Sequence, residues 1–190
     1  HNTEPEKSIE DAKSAIRWMR GNAGKLGLDP RRIVAAGGSA GGTCAAFAAF
    51  NTTYEPEGED ASISSRPNAL VLYNPAMGAG ENTVTRSSGE NRERKVRFLS
   101  AWKAEPKGPP AILFFGTDDA LLAPARIFVK ELAAAGNQVE LFTAAGQKHG
   151  FFNDREGSPW HALCLERTDL FLTGLGYLKG PPAIQAPPGF

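Results

Sequence analysis

The sequence predicts an α/β fold in which helices cover both faces of a doubly wound, mostly parallel sheet, within a single domain over residues 1–190. Two observations lead to this prediction. Four short apolar runs lack the polar alternation of a half-exposed strand, which is typical of strands buried on both faces of a parallel sheet. Segments with helical periodicity separate these runs, and strands that alternate with helices favour right-handed crossover connections.

The first part of the chain predicts a helix, a strand and a second helix. Residues 8–26 carry apolar side chains at helical spacing, and residues 8–11 resemble a capping box that would begin this helix. Residues 33–36 form the first apolar strand, and residues 43–50, rich in Ala and Phe, form a buried helix. The polar, proline-bearing residues 51–68 are expected to form a solvated loop.

The second part of the chain completes the alternation of strands and helices. Three strands are expected at residues 69–73, 111–115 and 139–142, and two helices at residues 124–135 and 160–178. Residues 78–100 are rich in Gly, Ser, Glu and Arg with little periodicity, so we expect them to replace a regular helix. Residues 180–190 form a proline-rich surface tail.

Composition excludes two classes of partner. The 21 basic and 21 acidic side chains balance to a formal net charge of zero, whereas a nucleic-acid-binding protein carries a basic excess. No apolar run reaches the length of a membrane span. The two cysteines, Cys44 and Cys164, are too few for a disulfide framework, so we expect them to be buried apolar side chains.

The motif with the clearest chemical meaning is Gly37-Gly38-Ser39-Ala40-Gly41, which fits G-x-S-x-G between a predicted strand and a predicted helix. A serine there lies on a tight turn with its hydroxyl projecting from the sheet edge, and the Ala40 amide can donate to an oxyanion. The alternative is a glycine-rich turn that binds phosphate, but this loop lacks a lysine. The pattern therefore favours Ser39 as a nucleophile.

A serine nucleophile needs a base, and the base needs an acid that orients it. His149 directly follows the fourth predicted strand, whereas His161 lies inside a helical pattern, where a surface or packing role is expected. Asp118 and Asp119 follow the third strand, and this position leaves both open as the acid. Loops that follow parallel strands meet at one edge of the sheet, so these side chains are expected to converge with Ser39.

These motifs resemble the α/β-hydrolase esterases and lipases, and most closely the acetyl-xylan and feruloyl esterase-like group among the carbohydrate esterases. The similarity is carried by residues 29–33, 37–42, 68–75, 115–119 and 149–153. The chain order Ser, Asp, His is also that of this fold. Gly38 departs from the hormone-sensitive-lipase-like esterases, which usually carry an acid before the serine.

The resemblance implies an α/β-hydrolase fold, of which this chain would be the C-terminal part with about four strands. It implies Ser39 as nucleophile, His149 as general base and Asp119, rather than Asp118, as the acid, with no metal or organic cofactor. The first strands and a second oxyanion donor are expected upstream of His1. One donor missing from these residues would cost about 100-fold or more in turnover.

The activity that follows is hydrolysis of a small-molecule or carbohydrate ester through an acyl-enzyme. Substrate contacts are expected from Asn74, Pro75 and Met77, with Tyr54 beside them and residues 78–100 as a lid. Two alternatives stay open. One is a prolyl-oligopeptidase-like serine peptidase, which shares G-x-S-x-G and the Ser, Asp, His order. The other is a non-catalytic binding protein of the same fold.

Overall fold

The computed structural model of the protein describes residues 4–78 and 89–188. Four parallel strands form one sheet in the order β1-β2-β3-β4, with bounds Val34–Gly38, Ala69–Tyr73, Ala111–Gly116 and Val139–Ala144. The helices α1 to α6 are Pro5–Gly21, Ala23–Leu26, Ala40–Phe50, Gly89–Leu99, Leu122–Ala134 and Trp160–Gly174. The predicted parallel α/β fold with four strands is therefore confirmed.

Helices lie on both faces of the sheet and define two cores. On one face α3 packs against β1 and β2, α5 packs against β4, and α1 packs against α3. Side chains of α3 and α5 share a core with those of β2 and β3. Buried side chains of that core include Phe47, Leu72 and Phe128. On the other face α6 places Cys164 and Phe171 against the opposite sides of the same strands. Because both faces are covered, successive residues of β2 and β3 are all apolar, which explains the absence of alternation.

The strand β1 differs from the central strands. Among the described residues it pairs only with β2, in a register that sets Gly38 opposite Tyr73. Its residues are half-buried or, at Ala36, exposed, whereas β3 is buried throughout. The candidate nucleophile therefore follows a strand at the end of the described sheet.

The first and last helices differ from their predicted bounds. The helix α1 begins at Pro5, so Ser8 lies inside it and the predicted capping box is wrong. Proline is favoured at a first helical position because its missing N–H would have no intrahelical acceptor. Residues 8–26 also form two helices rather than one, divided at Asn22. The helix α6 ends at Gly174, and Gly176 takes a positive φ of 73° just beyond it.

Two segments that were expected to lack regular contacts contribute to the fold. Residues 89–99 form α4, and Phe98 packs on Phe47, so the expectation of no helix in this stretch is wrong. Residues 79–88, the rest of the predicted lid, lie outside the described residues. The loop at 51–68 is largely exposed, as predicted, and its Glu55 pairs with the buried Lys13 of α1.

The cysteines match the expectation of buried side chains only in part. Cys44 and Cys164 are both free thiols, half-buried and buried respectively. Burial raises the pKa of the Cys164 thiol to about 12. Within the described ranges, no helix combines the length and apolar character needed to cross a membrane.

Candidate active site

The turn between β1 and α3 holds Ser39 in a strained backbone conformation, with φ 52° and ψ −120°. Close packing of glycines makes the turn possible, because a Cβ on Gly37 would overlap the backbone of Gly41. The Ser39 amide donates to the Tyr73 carbonyl at 2.8 Å, which ties the turn to the end of β2. The serine side chain is thus held at the carboxyl edge of the sheet.

The amide of Ala40 is the first in α3 and has no acceptor within the helix. Ala40 is exposed, and its amide adjoins the serine at the positive end of the helix dipole. A backbone N–H in this position can stabilise the negative charge that develops on a carbonyl oxygen when a serine hydroxyl attacks the carbonyl carbon.

The structure brings Ser39, His149 and Asp119 together in one hydrogen-bonded chain. His149 Nε2 lies 2.9 Å from Ser39 Oγ, and His149 Nδ1 lies 2.9 Å from Asp119 Oδ2. An ionised carboxylate can only accept, so Nδ1 carries the hydrogen and Nε2 accepts from the serine hydroxyl. The His149 side chain is 43% exposed and that of Asp119 is 3% exposed. The base therefore faces solvent while its acid is enclosed.

The two neighbouring aspartates have different surroundings. Asp119 Oδ1 accepts the Leu121 amide at 3.0 Å, and Asp119 Oδ2 accepts the side-chain amide of Asn74 at 2.6 Å in addition to His149. Asp118 is exposed and its carboxylate lies 3.2 Å from the Thr117 hydroxyl. The structure places Asp119, and not Asp118, beside the imidazole.

The residues predicted to contact a substrate are buried instead. Asn74 and Met77 have no exposed surface, and Pro75 is buried against Gly42. Met77 belongs to the core under α3, and Tyr54 stacks on Phe98 with ring centroids 6.0 Å apart. A side chain without exposed surface cannot touch a bound substrate directly. This placement corrects the predicted role of Asn74, Pro75 and Met77.

Two contacts that sequence reasoning missed join the histidine loop to its neighbours. A Cβ on Gly38 would lie 2.6 Å from Cζ of Phe152, so the missing side chain before the serine makes room for this ring. A Cβ on Gly116 would overlap the carbonyl of Gln147, whose oxygen accepts the Asp118 amide at 2.9 Å. In the sequence, glycines at the carboxyl ends of two strands could have indicated that the histidine loop approaches these strands closely.

An aromatic group lies beneath the histidine loop. The Tyr73 ring lies between Phe114 and Phe152, with centroid distances of 4.9 and 5.0 Å. Burial raises the pKa of the Tyr73 hydroxyl, which lies 2.9 Å from the hydroxyl of Thr168. His161 packs from α6 with Nδ1 2.9 Å from the Phe152 carbonyl, which is one of the two roles expected for it.

Comparison with known proteins finds esterases. The family model described as BD-FAE matches residues 2–71. Carboxylesterase NlhH of Mycobacterium tuberculosis is 29% identical over 173 residues, which cover 76% of this chain and 51% of that protein. Esterase LipC of the same organism is 29% identical over 182 residues, which cover 84% of this chain and 45% of LipC. The chain thus spans about half the length of the curated relatives it matches.

A solved structure gives a closer match. The apo form of Thermogutta terrifontis esterase 2 superposes with a TM-score of 0.84 at 37% identity, covering 95% of this chain and 69% of that one. Such identity over more than two thirds of a relative, together with the same fold, reflects common descent. The chain belongs to the α/β-hydrolase esterase family.

Proposed function

We propose that this protein is a serine carboxylesterase that cleaves short-chain esters through an acyl-enzyme on Ser39. The observation that supports it best is the Ser39–His149–Asp119 chain, in which both hydrogen bonds measure 2.9 Å. A serine hydroxyl is a weak nucleophile at neutral pH and becomes effective only beside an oriented base. This arrangement supplies that base in the required tautomer.

The proposed reaction has two steps. His149 Nε2 takes the Ser39 proton while Oγ attacks the ester carbonyl, and the Ala40 amide donates to the resulting oxyanion. The alcohol then leaves with the proton held by His149. A water molecule, deprotonated by His149 in turn, releases the carboxylic acid and regenerates the hydroxyl. Asp119 stabilises the imidazolium in both steps and keeps its own charge.

The relatives favour small acyl groups. Thermogutta terrifontis esterase 2 has structures with propionate bound and with butyrate bound, and it is phosphorylated by paraoxon. We therefore propose acetyl to butyryl esters as substrates and paraoxon as a covalent probe. The similarity to acetyl-xylan and feruloyl esterase-like proteins, together with the BD-FAE match, adds an ester carried by a polysaccharide as a second candidate.

Paraoxon tests the nucleophile in the full-length protein. Attack by Ser39 forms an Oγ–P bond and expels p-nitrophenolate, so we expect one equivalent of p-nitrophenolate per active site. Trypsin should yield a phosphorylated peptide of residues 33–86, because the Arg66-Pro67 bond resists cleavage, and fragmentation should place the adduct on Ser39. Ser39→Ala should release none, whereas the control Ser100→Ala, at an exposed helix end, should react normally. An adduct elsewhere, or no release from the wild type, would overturn the proposal.

Paired chromogenic substrates separate the esterase from the peptidase alternative. We expect p-nitrophenyl butyrate to be cleaved at least about 100-fold faster than a prolyl p-nitroanilide, since the amide has the poorer leaving group and no peptide-binding contact is proposed. Faster cleavage of the anilide would favour the peptidase. Release of acetate from acetylated xylan, compared with p-nitrophenyl acetate, then decides between the two substrate classes.

A further inference from the structure

Asn74 is a buried polar residue at the centre of the candidate site. It follows β2 directly, takes a positive φ of 48° and has no exposed surface. Its backbone amide donates at 2.9 Å to the carbonyl of Phe114 in β3, the strand that leads to Asp119. A buried amide side chain needs hydrogen-bond partners, because an unpaired one would lose its solvation without compensation.

The two ends of the Asn74 side chain reach two different loops. Nδ2 donates to Asp119 Oδ2 at 2.6 Å, and Oδ1 accepts the Gly150 amide at 3.3 Å. Gly150 is the residue after His149. The orientation of the amide is fixed by its partners, since a backbone N–H can only donate and a carboxylate can only accept. One side chain thus joins the loop of the acid to the loop of the base.

We propose that Asn74 is a positioning residue that holds the Asp119 carboxylate in place and His149 in the tautomer needed to activate Ser39. This inference rests on the proposed function, because it assumes that these three residues form the working triad. Asn74 acts through Asp119 and Gly150, and its complete burial keeps it from the substrate.

Donor count explains how Asn74 would orient the acid. Asp119 Oδ2 accepts from both Asn74 Nδ2 and His149 Nδ1, and Oδ1 accepts from Leu121. Three donors on two oxygens fix the orientation of the carboxylate. The imidazole must then present its N–H at Nδ1, which leaves Nε2 free to accept. Aspartate at position 74 would lack the donor, and leucine would lack both groups.

Few ionisable side chains lie near Asp119, so the effect of a substitution at position 74 on the pH profile can be assigned to that substitution. Among the described residues, His149 is the titratable side chain hydrogen-bonded to Asp119. The other ionisable side chains on the two loops, for which no hydrogen bond to Asp119 is found, are Asp118, Lys148, Asp154, Arg155 and Glu156.

The isosteric variant Asn74→Asp in the full-length protein tests the proposal. It replaces the donor by a carboxylate that faces Asp119, so kcat for p-nitrophenyl butyrate should fall about 100-fold at unchanged KM. The pH profile of kcat/KM should also change, because the variant adds an ionisable group beside Asp119. A substrate contact would instead raise KM and leave the pH profile in place.

Two further variants keep the test decisive if Asn74→Asp folds poorly. Asn74→Gly suits the positive φ, and nitrogen-15 NMR of labelled histidine should show His149 losing its preference for the Nδ1–H tautomer. Asn137→Asp is the matched control, because Asn137 is also buried and binds Gly108, Glu105 and Leu132 through its side-chain amide. It should leave the pH profile and the tautomer unchanged.

The outcomes separate this inference from the proposed function. If the wild type neither reacts with paraoxon nor cleaves the ester, the proposed function fails first. If the wild type is active and Asn74→Asp keeps its kcat and pH profile, the proposed function stands and the role of Asn74 is wrong. An equal change in Asn137→Asp would also overturn it, since the effect would then be general.

Discussion

Two buried asparagines lie at opposite edges of the sheet and differ in the groups to which they hydrogen-bond. At the carboxyl edge, Asn74 binds a carboxylate and the amide next to the candidate base. At the amino edge, Asn137 precedes β4 and accepts the Gly108 amide at 2.6 Å while donating to two backbone carbonyls. Both satisfy buried polar groups. Asn74 binds an ionisable carboxylate, whereas the groups that Asn137 binds belong to the backbone.

Other residues at the two edges of the sheet differ in the same way as the two asparagines. At the amino edge, Arg20 donates to the carbonyls of Pro30, Ser64 and Arg66 and to the side chain of Asn68. Desolvation by burial lowers the pKa of Arg20. The carboxyl edge instead uses glycines and positive φ angles to bring loops into contact. We infer that one edge mainly stabilises the fold and the other mainly positions reactive groups.

The largest expected effect tests the carboxyl edge. Asp119→Asn should lower kcat about 10,000-fold, because an amide beside Nδ1 favours the wrong histidine tautomer. Initial rates with p-nitrophenyl butyrate measure this. Asp118→Asn changes the neighbouring, exposed carboxylate and should keep kcat within about twofold, since surface changes have small effects. Similar losses in both variants would contradict the assignment of Asp119.

The next effect tests the amino edge. Arg20→Met keeps the aliphatic stem but leaves part-buried acceptors, the Arg66 carbonyl and the Asn68 side chain, without their donor. The free energy of unfolding in urea should fall by about 2 kcal/mol, with kcat unchanged. Arg126→Met is the control, because Arg126 is exposed on α5. A loss of kcat without a loss of stability would remove the distinction between the two edges.

The smallest effect concerns the core between the edges. Burial keeps the Cys164 thiol neutral in the folded protein up to a pKa of about 12, whereas in the unfolded chain it ionises near its ordinary value of about 8.5. Its contribution is therefore complete below about pH 8.5 and is lost as the pH rises toward 12. Stability should fall by about 1 kcal/mol at pH 9.5 from this thiol alone.

Urea titrations of the wild type and Cys164→Ala at pH 7.5 and 9.5 isolate that contribution. The variant is less stable at both pH values because it leaves a small cavity, but its decline between them should be shallower. Equal declines would show that the thiol does not ionise on unfolding in this range. Cys44→Ala provides a comparison at a half-buried thiol.

Much of the fold could be predicted because its strands are buried on both faces. Residues 69–73 were predicted with the bounds that β2 shows. The helix α4 was missed because only Leu99 of its residues is buried, so its sequence carries almost no apolar periodicity. The start of α1 at Pro5 was missed because the preference of proline for the first helical position outweighs the capping pattern at Ser8.

Part of the candidate site could likewise be predicted from the sequence, and part could not. The meeting of Ser39, His149 and an aspartate could be predicted because loops after parallel strands lie at one edge of the sheet, and the family resemblance favoured Asp119 over Asp118. The place of Asn74 could not, since its burial depends on how closely the loops from β3 and β4 pack over it. Sequence position after a strand indicates which edge a residue occupies. It does not indicate whether its side chain points into solvent or between the loops.

The contact between Gly38 and Phe152 has a consequence for how such sequences diverge. The two positions are far apart along the chain, yet a Cβ at one would lie 2.6 Å from the ring at the other. Position 38 cannot gain a side chain while Phe152 keeps its ring in place. In an alignment of relatives we expect a larger residue before the nucleophile only where position 152 carries a smaller one. Substitutions at the two positions should therefore be correlated.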